Sequence, residues 1–337
     1  MESLATSAPV NFVYRTAFDE DEARRAPSID DFLARVAQNR FLFAGTRADL
    51  NMIALTYFRL AEAGVGSIRL VREPVRDGIN IVHSHHLAEF GPDAERFCVC
   101  VQGDYPARPW AQFHILQNED QLRGDAAVIW LWPQPGLIPR DLARTRFERV
   151  GYLGQLAGNL AKDRNYWQQL LEPLNLKFVT REPDAWHDFS DLDAVIGVRS
   201  FGRSRYRSKP PSKLVNAWMA GVPFIGGTDS AFAQVGRPGE DYLRITTPAE
   251  LTEALSRLRH DTSLRQTLVE NGRQRARSFS VPNLVERWRA LLEGPVETRY
   301  RHWVSRARSE RLRLYALGTV ETAFRTGKAA IRRAGLR

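Results

Sequence analysis

Cysteine is nearly absent: the 337 residues hold two, Cys98 and Cys100. They flank Val99 in an apolar run, so strand alternation puts both thiols on one face and excludes a disulfide between them. A single C-x-C pair without a second pair reads as packing rather than as a zinc site, and sparse cysteine suits a reducing compartment. Long apolar runs are missing too. The longest candidate, Ala126 to Trp132, is far short of the roughly 18 to 20 residues that span a bilayer, so no transmembrane segment is expected. The start has no basic residue before Arg15, which leaves it without the basic opening of a secretion signal. A cytoplasmic protein is expected.

The body of the chain also lacks an excess of either charge. Residues 299–337 carry 11 Lys+Arg against Glu310 and Glu321, which accounts for the whole formal charge of +9. A neutral body argues against nucleic acid as a partner. With 43% hydrophobic and 26% charged residues the composition is globular, and the length favours two domains at about 100 to 200 residues each.

Short apolar runs alternate with helical patterns. The first half offers Val10 to Tyr14, Phe41 to Gly45, Ser67 to Val71, Ile79 to His83, Phe97 to Val101, His114 to Leu116 and Ala126 to Trp132. The Pro-rich stretch Trp132 to Pro139 interrupts the series. A second one runs through Arg149 to Gly154, Leu176 to Val179, Asp193 to Val198, Val222 to Gly226 and Tyr242 to Ile245, with helices over 212–220 and 248–258. This alternation predicts an α/β protein with two parallel sheets facing a cleft.

The most informative segment is Lys209-Pro210-Pro211-Ser212-Lys213-Leu214-Val215-Asn216-Ala217-Trp218-Met219-Ala220-Gly221-Val222-Pro223. Two prolines can introduce a helix but not sit inside one, and Ser212 is a competent N-cap. The helix N-terminus, with Lys209 and Lys213, makes a site for a diphosphate. One turn on, Asn216 is placed to meet sugar hydroxyls beside it. A solvated lysine pair at a capped helix is the alternative.

This block resembles the donor-nucleotide region of GT-B-fold glycosyltransferases, in particular the retaining family-4-like, or group 1, enzymes. Their pattern there runs Lys-Pro, Ser/Thr-Lys-Leu, Glu-Ala-x-x-x-Gly-x-Pro. Val150 to Gly154 resembles the opening strand of their C-terminal domain, Asp193 to Ser200 the strand before the donor helix, and Arg257 to Arg277 the terminal helices. The resemblance covers about 149 to 292 and implies two Rossmann-like domains in GT-B architecture with a C-terminal helical tail. The domains would be an acceptor-side unit at 1–148, a nucleotide-sugar-binding unit at 149–294, and a basic amphipathic tail at 295–337.

The resemblance further implies roles. Gly154 and Gln155 would face the donor phosphates, with Arg199, Lys209 and Lys213 as phosphate contacts. Gly226, Gly227 and Ser230 would hold the transferred sugar, and Thr180 to Trp186 would bracket the base. The family's two glutamates, eight residues apart, fall on Ser208 and Asn216, so both carboxylates are missing. That departure implies a different donor or stereochemistry, or loss of transfer.

In the first half, His83, Ser84, His85 and His86 end a predicted strand, at the edge where α/β sheets bind ligands. By alternation His83 and His85 share a face, and His85 is the first candidate for the catalytic base. Structural histidines are the alternative. A metal site there is not expected, because no Asp, Glu or Cys partner has ligand spacing. Asp104 is a second candidate base, or a loop Asp capping its own turn. The triplets Asp19-Glu20-Asp21 and Asp191-Leu192-Asp193 match the cation pairs of GT-A enzymes, but the first is an acidic surface run and the second opens a strand. No cofactor or metal is expected beyond a nucleotide diphosphate sugar as substrate.

The expectation is a glycosyltransferase acting in bacterial surface glycan or glycolipid assembly, on a glycan, lipid-linked sugar or protein acceptor. A GT-B sugar-nucleotide epimerase and a non-catalytic sugar-nucleotide binder are the alternatives. The basic tail would either pack on the body or rest on an anionic membrane surface.

Overall fold

The computed structural model describes residues 2–15, 25–37 and 49–306, together with positions 309, 312, 313, 316, 320 and 323. The expected strand at Phe41 to Gly45, the Asp19 to Asp21 triplet and most of the 299–337 tail lie outside the described residues.

The first half contributes strands β1 (Glu2–Ser3), β2 (Val10–Val13), β3 (Val65–Gly66), β4 (Ile68–Val71), β5 (Ile79–His83), β6 (Phe97–Val101), β7 (Phe113–Leu116) and β8 (Ala126–Val128). Six of them form one parallel sheet in the order β4-β2-β5-β6-β7-β8, while β1 and β3 pair separately. Helices α1 (Ile29–Ala37), α2 (Leu55–Glu62) and α3 (Ser84–Phe90) accompany it, with a π-helical turn at Leu50–Ala54. Every residue of β5 and β6 is buried, as befits parallel strands covered on both faces. Asn80 is tolerated inside β5 because its amide ties down the preceding loop. It accepts from Val75 N at 2.8 Å and donates to the carbonyls of Val75 at 2.8 Å and Phe97 at 2.9 Å. Cys98 and Cys100 are free and buried, and burial pushes both thiols up to about 12, so neither is a nucleophile.

The expected strand over Ala126 to Trp132 stops at Val128. Beyond it Trp132 turns inward, and its indole donates to Thr56 Oγ1 at 2.8 Å.

The second sheet is also parallel, ordered β10-β9-β11-β12-β13, from β9 (Arg149–Tyr152), β10 (Lys177–Thr180), β11 (Ala194–Gly197), β12 (Phe224–Gly226) and β13 (Leu243–Arg244). Helices α4 (Arg164–Leu171), α5 (Ser212–Ala220), α6 (Ser230–Val235), α7 (Pro248–His260) and α8 (Thr262–Ala276) flank it. In each sheet a central strand, β2 or β9, sends the chain to opposite sides, which opens a crevice at the carboxyl ends of the strands.

Asp193 anchors the linker to this sheet. Its carboxylate is fully buried and accepts from Arg140 at 2.8 Å, from Arg144 at 3.0 Å and from the amides of Glu148 and Arg149, both at 2.9 Å. The Asp191-Leu192-Asp193 triplet is therefore a structural staple, with Asp191 paired to Arg149 at 2.7 Å.

Helices α9 (Val281–Leu291) and α10 (Glu297–Ser305) cross back to the first sheet. Trp288 packs edge-on to Phe12 at 6.2 Å, Trp303 lies 5.6 Å from Phe97, and Glu297 accepts from the amide of Ser7 at 3.1 Å. By packing, the segment from Val281 joins the first unit rather than the second, and one buried cluster including Phe12, Trp218 and Trp288 runs through both.

Candidate functional site between the two sheets

A cleft of about 490 Å³ lies between the carboxyl edges of the sheets. The first half lines it with Asn51, the loop Gly103-Asp104-Tyr105 after β6, Gln117, Trp132 and Gln134. The second half lines it with Gly154 and Gln155 after β9, Asn159, Trp186, Phe189, Lys209, Ser212, Lys213 and Asn216. Of the ten donor-side positions expected from the sequence, six therefore meet here: Gly154, Gln155, Lys209, Ser212, Lys213 and Asn216.

Helix α5 begins where the prolines predict. Its cap position is Pro211, which lacks any capping side chain, so Ser212 is the first helical residue rather than the N-cap. The first-turn amides are thus left without a side-chain cap at the cleft wall. The helix ends on Gly221, at φ 68° and ψ 37°, a left-handed stop that glycine adopts without strain.

Lys213 sits one residue into this turn, its Nζ 4.9 Å from the Tyr152 ring centroid. Burial, reinforced by Arg199 and Lys209 and opposed by Asp229, lowers its pKa to about 7. A side chain at Gly154, where φ is +144°, would collide with that ammonium, so the loop after β9 must be glycine there.

Lys209 reaches across the cleft. Its Nζ donates to Asp104 Oδ2 at 2.7 Å, and its carbonyl accepts from Asn118 Nδ2 at 3.0 Å. Asn216 accepts from the amide of Gln134 at 3.3 Å, a third link between the halves.

Four expected donor-site residues do not line the cleft. Arg199 is held behind it by Asp229 at 2.7 Å and by Asn159. Burial raises the Asp229 pKa and Arg199 opposes that rise, so the pair is mutually dependent. Gly226 lies under aromatic rings, where a Cβ would meet Phe224 and Phe232 at 3.0 Å. Gly227 donates to the Gly197 carbonyl at 3.1 Å. Ser230 is buried against Asn118, accepting from its Nδ2 at 2.9 Å. These three are structural or interdomain contacts rather than cleft surface.

The histidine motif also differs from the expectation. Strand alternation stops at His83 because α3 begins at Ser84, so His85 does not share the His83 face. His85 is exposed and its Nε2 lies 3.3 Å from Glu89 Oε1. His83 is the ring nearer the cleft. It is buried, packs edge-on to Tyr105 at 4.9 Å, and burial lowers its pKa to about 4. Its Nδ1 accepts from the His85 amide at 3.4 Å, which leaves Nε2–H as the donor, without a partner among the described residues, beneath Gly103. A Cβ on Gly103 would stand 3.9 Å from that nitrogen. Asp104, the second candidate base, does line the cleft, and among the described residues it is the one carboxylate that does.

Sequence reading missed Asn118. It caps its own turn through the Asp120 amide at 3.0 Å, the one local signal, while its other contacts lie 91 to 116 residues away.

Residues 140–293 match the family model described as glycosyl transferase-like. No curated protein matches the sequence. Among solved structures, Anabaena HepE in complex with UDP and glucose is similar at 12% identity and a TM-score of 0.54, covering 85% of this chain and 100% of that one. The same protein with UDP gives 13%, 0.50, 87% and 99%. A Staphylococcus aureus TarM mutant in complex with fondaparinux, alpha-GlcNAc-glycerol and UDP gives 10% and 0.50, with 66% of this chain but only 56% of that one covered. At such identities the likeness is one of fold. Over just under half of the chain the sequence is thus similar to glycosyl transferase-like proteins, and the chain as a whole has the GT-B fold.

Proposed function

We propose that the protein transfers a sugar from a nucleotide diphosphate sugar to an acceptor hydroxyl held against the first half. One observation carries this reading. Lys213 stands at the uncapped N-terminus of α5, beneath Gly154 and on the cleft wall, with no ion pair of its own among the described residues. A diphosphate placed there would meet helix amides, Lys213 and Lys209 together.

In the transfer, the bond between the sugar's anomeric carbon and the diphosphate oxygen breaks. The acceptor oxygen bonds that carbon and its proton leaves. The positive end of the helix and both lysines stabilise the charge gathering on the departing diphosphate. Asp104 is placed to take the acceptor proton once Lys209 turns to the diphosphate. Asn216 offers an amide to a sugar hydroxyl, with a weaker bond than a carboxylate would give.

Trp186 lines the far end of the cleft, where a base can stack, and its indole is fixed by the Arg181 carbonyl at 2.9 Å. The similar HepE and TarM structures contain UDP, so UDP-sugars are the first donors to try. The Arg-rich tail, whose Leu312 and Val320 are 52% and 69% exposed, supports work at an anionic membrane surface, on a glycan or glycolipid acceptor in the cytoplasm. Among the described residues no helix is long and apolar enough to cross a membrane.

The test is turnover. The chain is incubated with UDP-, GDP-, ADP- and CMP-sugars, with and without a mixed glycan acceptor pool, and free nucleotide is measured. Release from one donor, lost in Lys213→Ala, is expected. Release in equal amounts from wild type and Lys213→Ala would overturn the site, and interconversion of donors without release would mean an epimerase.

A further inference from the structure

The start of α3 holds a second cluster outside the cleft. His85 Nε2 lies 3.3 Å from one oxygen of Glu89, and His86 Nδ1 lies 3.3 Å from the other. The carboxylate thus straddles two imidazoles, and the ligand atoms of the three residues fall within 4.8 Å of one another. The expectation that no acid stands at ligand spacing is corrected by Glu89, one helical turn after the pair.

We propose that His85, His86 and Glu89 bind a first-row divalent transition ion of the zinc type. Zn–N bonds of about 2.0 to 2.1 Å in a tetrahedron put neighbouring ligand atoms about 3.3 Å apart. Each histidine stands at that separation from one oxygen of Glu89, so whichever oxygen ligates, one ring is already at ligand distance and the other must draw in. Water fills the remaining coordination. Two imidazoles with one carboxylate select zinc, cobalt or nickel over magnesium or calcium, which prefer all-oxygen sets.

A second, independent feature points the same way. The other nitrogen of His86, Nε2, lies 3.2 Å from Asp49 Oδ2, and both side chains are nearly buried. A carboxylate behind a histidine fixes the tautomer, directing the Nδ1 lone pair outward to the ion.

Arg15 competes for Glu89 at 3.8 Å, but both are half-exposed and the arginine also rests 4.9 Å from the Phe90 ring centroid. It can yield Glu89 and keep that contact. Tyr105, whose ring centroid is 6.0 Å from that of His85, lines the cleft, so the bound ion would stand one side chain from the site.

Zinc titration of the full chain by calorimetry, after chelator treatment, tests the assignment. One equivalent is expected to bind, with affinity reduced tenfold or more in His85→Ala and in Glu89→Gln. Asp49→Asn should weaken it about 10- to 100-fold through the tautomer. His260→Ala, an exposed histidine on the other unit, should change nothing. Cobalt bound to the wild type should show a visible absorption band that both ligand variants lose. Absence of stoichiometric binding, equal binding in the ligand variants, or magnesium competing at similar concentration would overturn it.

Discussion

Lys209 Nζ and Asp104 Oδ2 stand 2.7 Å apart, and the two sheets supply one partner each. The pair sits 26% and 35% exposed, a setting in which an ion pair contributes about 0 to 1 kcal/mol. A diphosphate, with two charges and helix amides behind it, outcompetes a single half-solvated carboxylate. On the proposed reading, donor binding is expected to break this contact.

Asp104→Asn separates the two roles. It removes the proposed acceptor-side base and frees Lys209 from its ion pair. Turnover should fall about 100-fold or more, while donor KM stays the same or drops. Steady-state kinetics with donor varied at fixed acceptor measure both, and an unchanged kcat would remove Asp104 from the proton transfer.

Donor affinity should depend on pH through Lys213. Its pKa of about 7 belongs to the protein without donor, and a diphosphate beside it raises that value. Binding thus takes up a proton whenever the lysine starts neutral. Affinity should be flat below pH 7 and fall by up to about tenfold per pH unit above it. A nucleotide diphosphate sugar is the ligand to use, since its diphosphate has no titration near neutrality. Lys213→Met should bind weakly with no such slope.

Asn118 is the knot between the halves. It bonds the Lys209 carbonyl at 3.0 Å, Ser230 at 2.9 Å and Gln234 at 3.0 Å. Asn118→Ala leaves buried Ser230 without that partner and should cost about 1 to 3 kcal/mol. A raised donor KM and a larger radius of gyration by X-ray scattering would accompany it. A variant with unaltered dimensions would show that the halves are held by packing alone.

Asp193→Ala should be the most damaging of these changes. It strips the buried acceptor from Arg140 and Arg144, a loss of about 3 to 5 kcal/mol. The two arginines and two amides overcome the cost of burial and hold the Asp193 carboxyl below the usual carboxylate range. Its contribution is hence fully present above about pH 4 and lost as pH falls through its folded value. Urea unfolding at pH 7 and pH 3 should show a wild-type advantage over the variant that shrinks in acid.

Much of this was legible in the chain. Ile79 to His83, Phe97 to Val101 and the helix at Ser212 to Ala220 stand where the apolar runs and the prolines put them, because burial on both faces leaves few alternatives. The cleft wall around Gly154, Lys209 and Lys213 followed too, since all three are set by elements near them in sequence. His85 was misplaced for a local reason: alternation was carried one residue past the point where a helix begins. The Arg199–Asp229 lock and the reach of Asn118 were hidden for another. They depend on how two sheets meet, and no short-range pattern encodes a contact between residues 30 to 116 apart.

The central claim is that the α5 N-terminus with Lys213 is a nucleotide-diphosphate site. Thermal unfolding with UDP, GDP, ADP and CMP sugars tests it most directly, because a ligand at 100 times its dissociation constant adds about 2.7 kcal/mol. One nucleotide should raise the midpoint, and Lys213→Ala should abolish the rise. No shift with any of them, or an equal shift in the variant, would contradict the account.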